Sequence, residues 1–232
     1  MYGPSDMLAR TRRVYRTDGL LSLCRQAGAY LLSRLFDYQT YYLSVARTDD
    51  VPDLDDGSFM PRADDFTLKV VRTNEEADEL EARGFEFRSS SLDSRERLDK
   101  GAIASCLFLG RQLGHIGWAA TTREAKDSLH EPPLEMEFSG TEGYRGATWT
   151  DPRCRRMRLG IYTMLEGRRL LRDSGVTLVR TAIAKKNVPT QRMMVKFSPI
   201  FYGEGRYLRI LWWKQWREKP LSPDFNMSDT IR

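Results

Sequence analysis

Residues 152–160, PRCRRMRLG, put four arginines into nine positions. The stretch runs into GIYTMLEGRRLL (160–171), where apolar residues recur at helical spacing before Gly175 ends the pattern. It follows YRGATWT (144–150), which is β-prone, and Pro152 stops strand hydrogen bonding there. A second strand, TLVRTAIA, comes after the helix at 177–184. The order is thus strand, arginine-rich turn, helix, strand. The first turn of a helix exposes N–H groups and the positive end of the dipole, which suits an anion. Arg153, Arg155, Arg156 and Arg158 add forked cationic donors, and cations so crowded repel unless an anion lies among them. The stretch therefore reads as a phosphate cradle. It is neither a Walker loop nor a dinucleotide fingerprint, because GxxxxGK[ST] and GxGxxG are both absent.

Working outward, FTLKVVR (66–72) reads as a strand and NEEADELEARG (74–84) as a helix. AIASCLFLG and HIGWAATT flank GRQLG as a hairpin. LEMEF (134–138) and YRGATWT flank SGTEG as a second hairpin. Residues 188–197 read as a short helix, and RYLRILWWKQW (206–216) as a last strand, apolar on both faces and hence covered. The interleaved tryptophans and cations of that strand also suit single-stranded nucleic acid, but a covered strand explains them more simply. Upstream, 6–16 and 19–36 carry helical stripes, and YQTYYLSV (38–45) is β-prone. DDVPDLDDGSFMPRADD (49–65), with seven aspartates, is the best boundary in the chain. The expected organisation is an N-terminal helical segment, 1–47, an acidic linker, 48–65, and one α/β domain, 66–232.

The chain has 232 residues and a net charge of +5, unevenly spread. Residues 1–47 carry a net +4 and 152–232 a net +12, leaving 48–151 at −11. Such a field favours a polyanionic ligand at the basic part, or two fields that simply face each other or water. No run of 18 apolar residues exists to span a membrane, and the first residues lack the apolar core of a signal peptide. Cys24, Cys106 and Cys154 are far apart and odd in number, which suits a reducing cytoplasm. With His115 and His130 the only histidines, a metal site has few candidates, and none is expected. His115 has no evident partner.

The turn resembles the phosphate loop of the GNAT acyltransferases, which use acyl-coenzyme A. That loop reads roughly Arg or Gln, two residues, Gly, one residue, Gly or Ala. Arg155, Arg156, Met157, Arg158, Leu159 and Gly160 stand in its register, with Arg158 in place of the first glycine. After the next strand the family has an Asn opening a short helix. Here NVPTQRMMVKFSPIFY supplies Asn187 and Lys196 at matching spacing, with Thr190 between them. Met194 stands where many members carry a Tyr that protonates the leaving thiolate, and Ser198 and Pro199 replace Gly-Phe. The resemblance covers roughly 66–216.

The resemblance implies an α/β (α+β) fold: a mixed, mostly antiparallel central sheet with a splayed parallel strand pair and flanking helices. An N-terminal helical extension would be added to it. It implies acetyl-coenzyme A, or a longer acyl-coenzyme A, as co-substrate, held by Trp149, Thr150, Arg155, Arg156, Met157, Arg158, Leu159, Gly160, Ile161, Asn187 and Thr190. It implies acyl transfer to a primary amine of a small-molecule acceptor by direct attack in a ternary complex. Glu137, beside Glu135 on LEMEF, is the candidate base, reaching the splay through a water, although two solvated glutamates fit that pattern too. Tyr207, or Tyr202, is the candidate acid, and both are equally natural as core aromatics. Two other classes stay open: an inactive GNAT-like module binding an anionic partner, favoured by Arg158 and Met194, and nucleic-acid binding by the basic C-terminal third. Arg10, Arg12, Arg13, Arg16, Arg25 and Arg34 accompany a leucine stripe in 1–47. That stripe suits a second copy of the chain, an acidic carrier or an anionic membrane surface, and otherwise packs on the domain.

Overall fold

The computed structural model describes residues 36–50, 57, 59–88, 94–130 and 132–230. The helices expected at 6–16 and 19–36 lie outside them, except for Phe36, which begins a strand. Eight strands form one sheet: β1 (Phe36–Arg47), β2 (Phe66–Val71), β3 (Ile103–Leu109), β4 (Gln112–Ala120), β5 (Glu142–Thr150), β6 (Leu178–Ala184), β7 (Ile200–Ile210) and β8 (Trp213–Pro220). Their order is β2-β3-β4-β5-β6-β1-β7-β8. The helices are α1 (Asn74–Ala82), α2 (Ser94–Asp99), α3 (Arg123–Ser128), α4 (Leu159–Asp173), α5 (Val188–Val195) and α6 (Met227–Thr230). This is the mixed, mostly antiparallel sheet the sequence leads one to expect, with β5 and β6 as its parallel pair. Among the described residues no helix is long and apolar enough to cross a membrane.

Among the described residues, contacts group those of 41–205 with 218–230 as one compact unit, and 36–40 with 206–217 as another. In the first, β1 pairs antiparallel with β6 from Tyr41 to Arg47, so a strand from within the expected N-terminal segment completes this sheet. Helix α4 packs on β3, β4 and β5, burying Leu171 against Ala119, Val176 and Val179. Side chains alternate across a strand, so Trp118, next to Ala119, and Tyr144 fill the opposite face. Both are fully buried, with Arg97 of α2 5.2 Å from the Trp118 ring and Lys126 of α3 5.8 Å from that of Tyr144. Two termini follow helix-end rules: Thr73 caps α1 by accepting from Glu76 N–H, and Gly175 follows α4 at φ 84°.

Two sequence expectations are corrected. LEMEF is not a strand and makes no second hairpin. Pro132 and Pro133 offer no donors, Leu134 N–H turns back to the Pro132 carbonyl, and β5 pairs with β4 instead. Its apolar alternation has another cause, since Leu134 and Met136 are buried as loop anchors. Residues 206–216 are not one covered strand either. The chain turns at Leu211–Trp212 between β7 and β8, and the apex is exposed.

Candidate active site

Register alone creates the site. β5 and β6 pair over three residue pairs, Glu142 with Leu178, Gly143 with Val179 and Tyr144 with Arg180. Beyond them the strands part. Past Tyr144, β5 pairs with β4 at Arg145, Gly146, Trp149 and Thr150, β6 pairs with β1 over 181–184, and no further rung joins β5 to β6. The facing backbone edges form an open wedge. Opposite Gly117, β5 carries a bulge at Ala147 and Thr148, with Ala147 at φ 47°.

The ion pair of Glu142 and Arg180 holds the last rungs before the parting. Arg180 donates Nε to Oε2 at 2.9 Å and Nη2 to Oε1 at 2.7 Å. The hydrogen bonds from Arg180 hold the Glu142 carboxyl below the usual carboxylate range. The same oxygen, Oε2, accepts Glu137 N–H at 3.2 Å, anchoring the loop of residues 132–138 beside the parting. The Arg180 guanidinium also lies 5.4 Å from the centre of the Tyr202 ring. The Tyr202 hydroxyl is buried with no well-formed hydrogen bond, and burial raises its pKa.

From the end of β5 a 3₁₀ turn (Pro152–Cys154) leads into the arginine stretch. Asp151 caps it and binds Arg153 in a fork, with Nε to Oδ1 at 3.1 Å and Nη2 to Oδ2 at 2.8 Å. Arg156 and Arg158 both adopt the left-handed conformation, at φ 67° and 62°. Arg158 is the N-cap of α4 and gives no side-chain cap; its Nη1 donates to the Gly57 carbonyl at 2.7 Å. The first helical bond is Tyr162 N–H to Arg158 carbonyl, so the N–H groups of Leu159, Gly160 and Ile161 have no partner inside α4. Arg155 and Arg156 are exposed. The expectation that these four arginines need an external anion is thus half answered from within: Asp151 neutralises Arg153, and a carbonyl holds Arg158.

The remaining predicted residues sort by which part of them faces the wedge. Leu159 and Ile161 bury their side chains, Leu159 with Leu107 and Cys154, Ile161 with Phe59, Leu165 and Phe197. Met157 packs on the first of these clusters. These three have only backbone to offer an anion. Asn187 caps α5 by accepting Thr190 N–H at 3.3 Å, as the sequence suggests. A Cβ at Gly160 would come 3.2 Å from Cε1 of His115 and 3.6 Å from Sδ of Met193, so the head of α4 sits tightly between β4 and α5. Trp149 and Thr150 end β5, partly exposed. Glu135 and Glu137 are exposed, Met194 is buried, and Tyr207 belongs to the other compact unit.

Sequence reasoning missed two buried residues here. His115 is not partnerless: Nδ1 meets Thr150 Oγ1 at 2.7 Å. Burial first, and Arg145 second, push its pKa down to about 3, so it is neutral. Arg145 is buried, with no carboxylate partner among the described residues, and donates Nη1 to the carbonyls of Thr163 at 3.0 Å and Met164 at 2.6 Å. Burial pulls its guanidinium down to about 10. The available signal was small: an arginine inside a strand pattern and a glycine, Gly167, inside a helix pattern.

The donor set suits a particular ligand shape. Three free N–H groups at a helix head, with exposed arginines nearby, fit a pyrophosphate. A strand edge that has left its parallel partner, as at Trp149 and Thr150, fits a chain bearing amides. Among the described residues no cluster of His, Cys, Asp and Glu could hold a metal ion.

No family model matches the chain, and no curated protein matches it in sequence. Solved structures do resemble it. One holds the GCN5-related glucosamine N-acetyltransferase region of a fungal multidomain β-N-acetylglucosaminidase, at TM-score 0.50 and 13% identity, over 82% of this chain and 23% of that one. A tandem GNAT protein from the clavulanic acid biosynthesis pathway aligns at TM-score 0.45 and 16% identity, over 87% of this chain and 59% of that one. A Drosophila protein aligns at TM-score 0.46 and 14% identity, over 82% of this chain and 58% of that one. The chain therefore spans under two thirds of each of these three. The first of these likenesses, with the splayed parallel pair, gives this chain's fold as that of the GNAT N-acetyltransferases.

Proposed function

We propose that this chain, which has the GNAT fold, is an acyl-coenzyme A-dependent N-acyltransferase acting on a primary amine. The observation that carries the reading is the parting of β5 from β6 after three residue pairs, within one side chain, His115, of an uncapped helix head. The N–H groups of Leu159, Gly160 and Ile161 would take the pyrophosphate, with Arg155, Arg156 and Arg158 in support. The backbone edge at Trp149 and Thr150 would pair with the pantetheine amides, and the head of α5 at Asn187 and Thr190 would border the same arm.

In the reaction the amine nitrogen bonds to the thioester carbonyl carbon, the C–S bond breaks, one proton leaves nitrogen and one reaches sulfur. We assign the first proton to Glu137 through a water: it is exposed, and its backbone is tied to Glu142 at the parting. Met194 has no proton to give. Tyr202 is the acid we assign within this unit, since its hydroxyl is buried beside Arg180, whose charge would stabilise the phenolate left behind.

Calorimetry with coenzyme A tests the binding half. At about 100 times the dissociation constant, bound ligand stabilises by about 2.7 kcal/mol, a readily seen thermal shift. No heat and no shift at millimolar coenzyme A would sink the reading. Thiol release from acetyl-coenzyme A with a panel of amines tests the catalytic half. Binding without turnover on any of them would favour the inactive module, a reading to which Met194 already points.

A further inference from the structure

The hairpin joining β7 to β8 ends in four consecutive apolar residues, Ile210, Leu211, Trp212 and Trp213. All four are exposed, Trp212 at 86%, and so are Phe36 and Tyr38 on β1 in the same compact unit. Leu211 sits at φ 56°, in a two-residue turn where glycine or asparagine is the usual occupant. Water would favour a polar, glycine-bearing turn here. Backbone strain and exposed apolar surface coincide at one tip, a combination that marks an interaction site.

Charge identifies the partner. Residues 206–217 hold Arg206, Arg209, Lys214 and Arg217 and no acidic residue. Arg209 immediately precedes the apolar tip and Lys214 immediately follows it, so a cationic collar lies just behind an apolar apex. Single-stranded nucleic acid would use stacking rings set among the cations, and Ile210 and Leu211 offer a base nothing. A bilayer surface matches the order of the hairpin: Leu211 and Trp212 at the turn and Ile210 and Trp213 just behind it suit the boundary between acyl chains and headgroups, with arginine and lysine next at the anionic phosphates. We propose that the β7–β8 hairpin is a membrane-docking element that inserts its Ile210–Trp213 tip into the surface of an anionic bilayer.

The test uses the full chain with phosphatidylcholine vesicles, with and without phosphatidylglycerol. Sedimentation should show binding to the anionic vesicles, weaker binding to neutral ones, and release as salt rises. Brominated lipids should quench the tryptophan fluorescence. Trp212→Ser with Trp213→Ser should lower the partition coefficient by about tenfold or more, with an unchanged melt because both positions are exposed. Lys214→Glu with Arg217→Glu should lower anionic binding with the tip intact. Equal binding by the tryptophan variant, or equal binding to neutral vesicles, overturns the proposal. So does vesicle indifference with binding of a single-stranded oligonucleotide that the tryptophan variant loses. So does vesicle indifference with residues 210–213 protected from hydrogen exchange in the free chain, which would mean that the chain itself or a second copy covers the tip.

Discussion

Arg145 and Gly167 share one space: the Arg145 guanidinium lies where a Cβ on residue 167 would have to be. Glycine inside a helix ordinarily costs about 1 kcal/mol relative to alanine. Here it lets a charged side chain from β5 reach the carbonyls of Thr163 and Met164 in the middle of α4. The contact ties the strand that edges the wedge to the helix whose head would take the phosphates.

Gly167→Ala should therefore invert the usual effect. Displacing the guanidinium should destabilise by about 2 kcal/mol, the size of a modest overpacking with lost charged hydrogen bonds. Arg145→Leu with Gly167→Ala should lose less than the two single changes added together, because the clash is gone. Urea denaturation of the four proteins measures both. A gain of stability in Gly167→Ala would show that Arg145 is not held there.

Arg158 occupies a glycine-like conformation, which costs a side-chain-bearing residue about 1 kcal/mol. Arg158→Ala loses the bond to Gly57 and keeps the strain, whereas Arg158→Gly loses the bond and relieves it. Arg158→Gly should therefore be the more stable of the two by about 1 kcal/mol in denaturation. For coenzyme A, Arg158→Ala should weaken binding by about 1.5 kcal/mol, near the low end for a charge-assisted contact, since the wild-type side chain must leave Gly57. Tighter binding in both variants would mean that the side chain obstructs the cradle.

His115 should make stability acid-sensitive. Its folded pKa, about 3, lies below the unfolded value of about 6.5, so the unfolded chain binds the extra proton between them. Its contribution is full above about pH 6.5 and is lost as pH falls toward 3, by at most about 1.4 kcal/mol per unit. His115→Gln keeps a polar group near Thr150 and removes the titration. Denaturation at pH 7, 6 and 5 should show the variant losing less stability than wild type. Parallel pH curves would place His115 in water.

Glu142→Gln should cost about 2 kcal/mol, because it leaves the part-buried Arg180 guanidinium without its counter-charge. The carboxyl has a lowered folded pKa, so its contribution is present above the unfolded carboxylate range and is lost as pH falls from there through the lowered folded value. The penalty should shrink in acid, where wild type too is protonated. A pH-independent penalty would assign the loss to packing instead.

The sequence by itself determined the local elements that matter most. Strand, arginine turn, helix and strand over 144–184 and the helix beginning at 159 follow from periodicity and end signals within a few residues, and the Asn187 cap of the next helix from the family resemblance. The family resemblance puts a glycine at position 158, and the structure has Arg158 at positive φ there. Tertiary structure alone decided what depends on distant partners. Asp151 takes Arg153 in a fork, and Gly57, 101 residues away, takes Arg158. β5 takes the β4 edge and leaves LEMEF a loop although it alternates like a strand, and the apolar run at 210–213 became a tip although it reads as a core strand. The wedge itself exists because β6 continues along β1 after leaving β5. Local propensity acts over neighbours along the chain, whereas pairing register and burial are settled between segments far apart in it, where the backbone hydrogen bonds of one strand are satisfied by whichever edge the packed core presents.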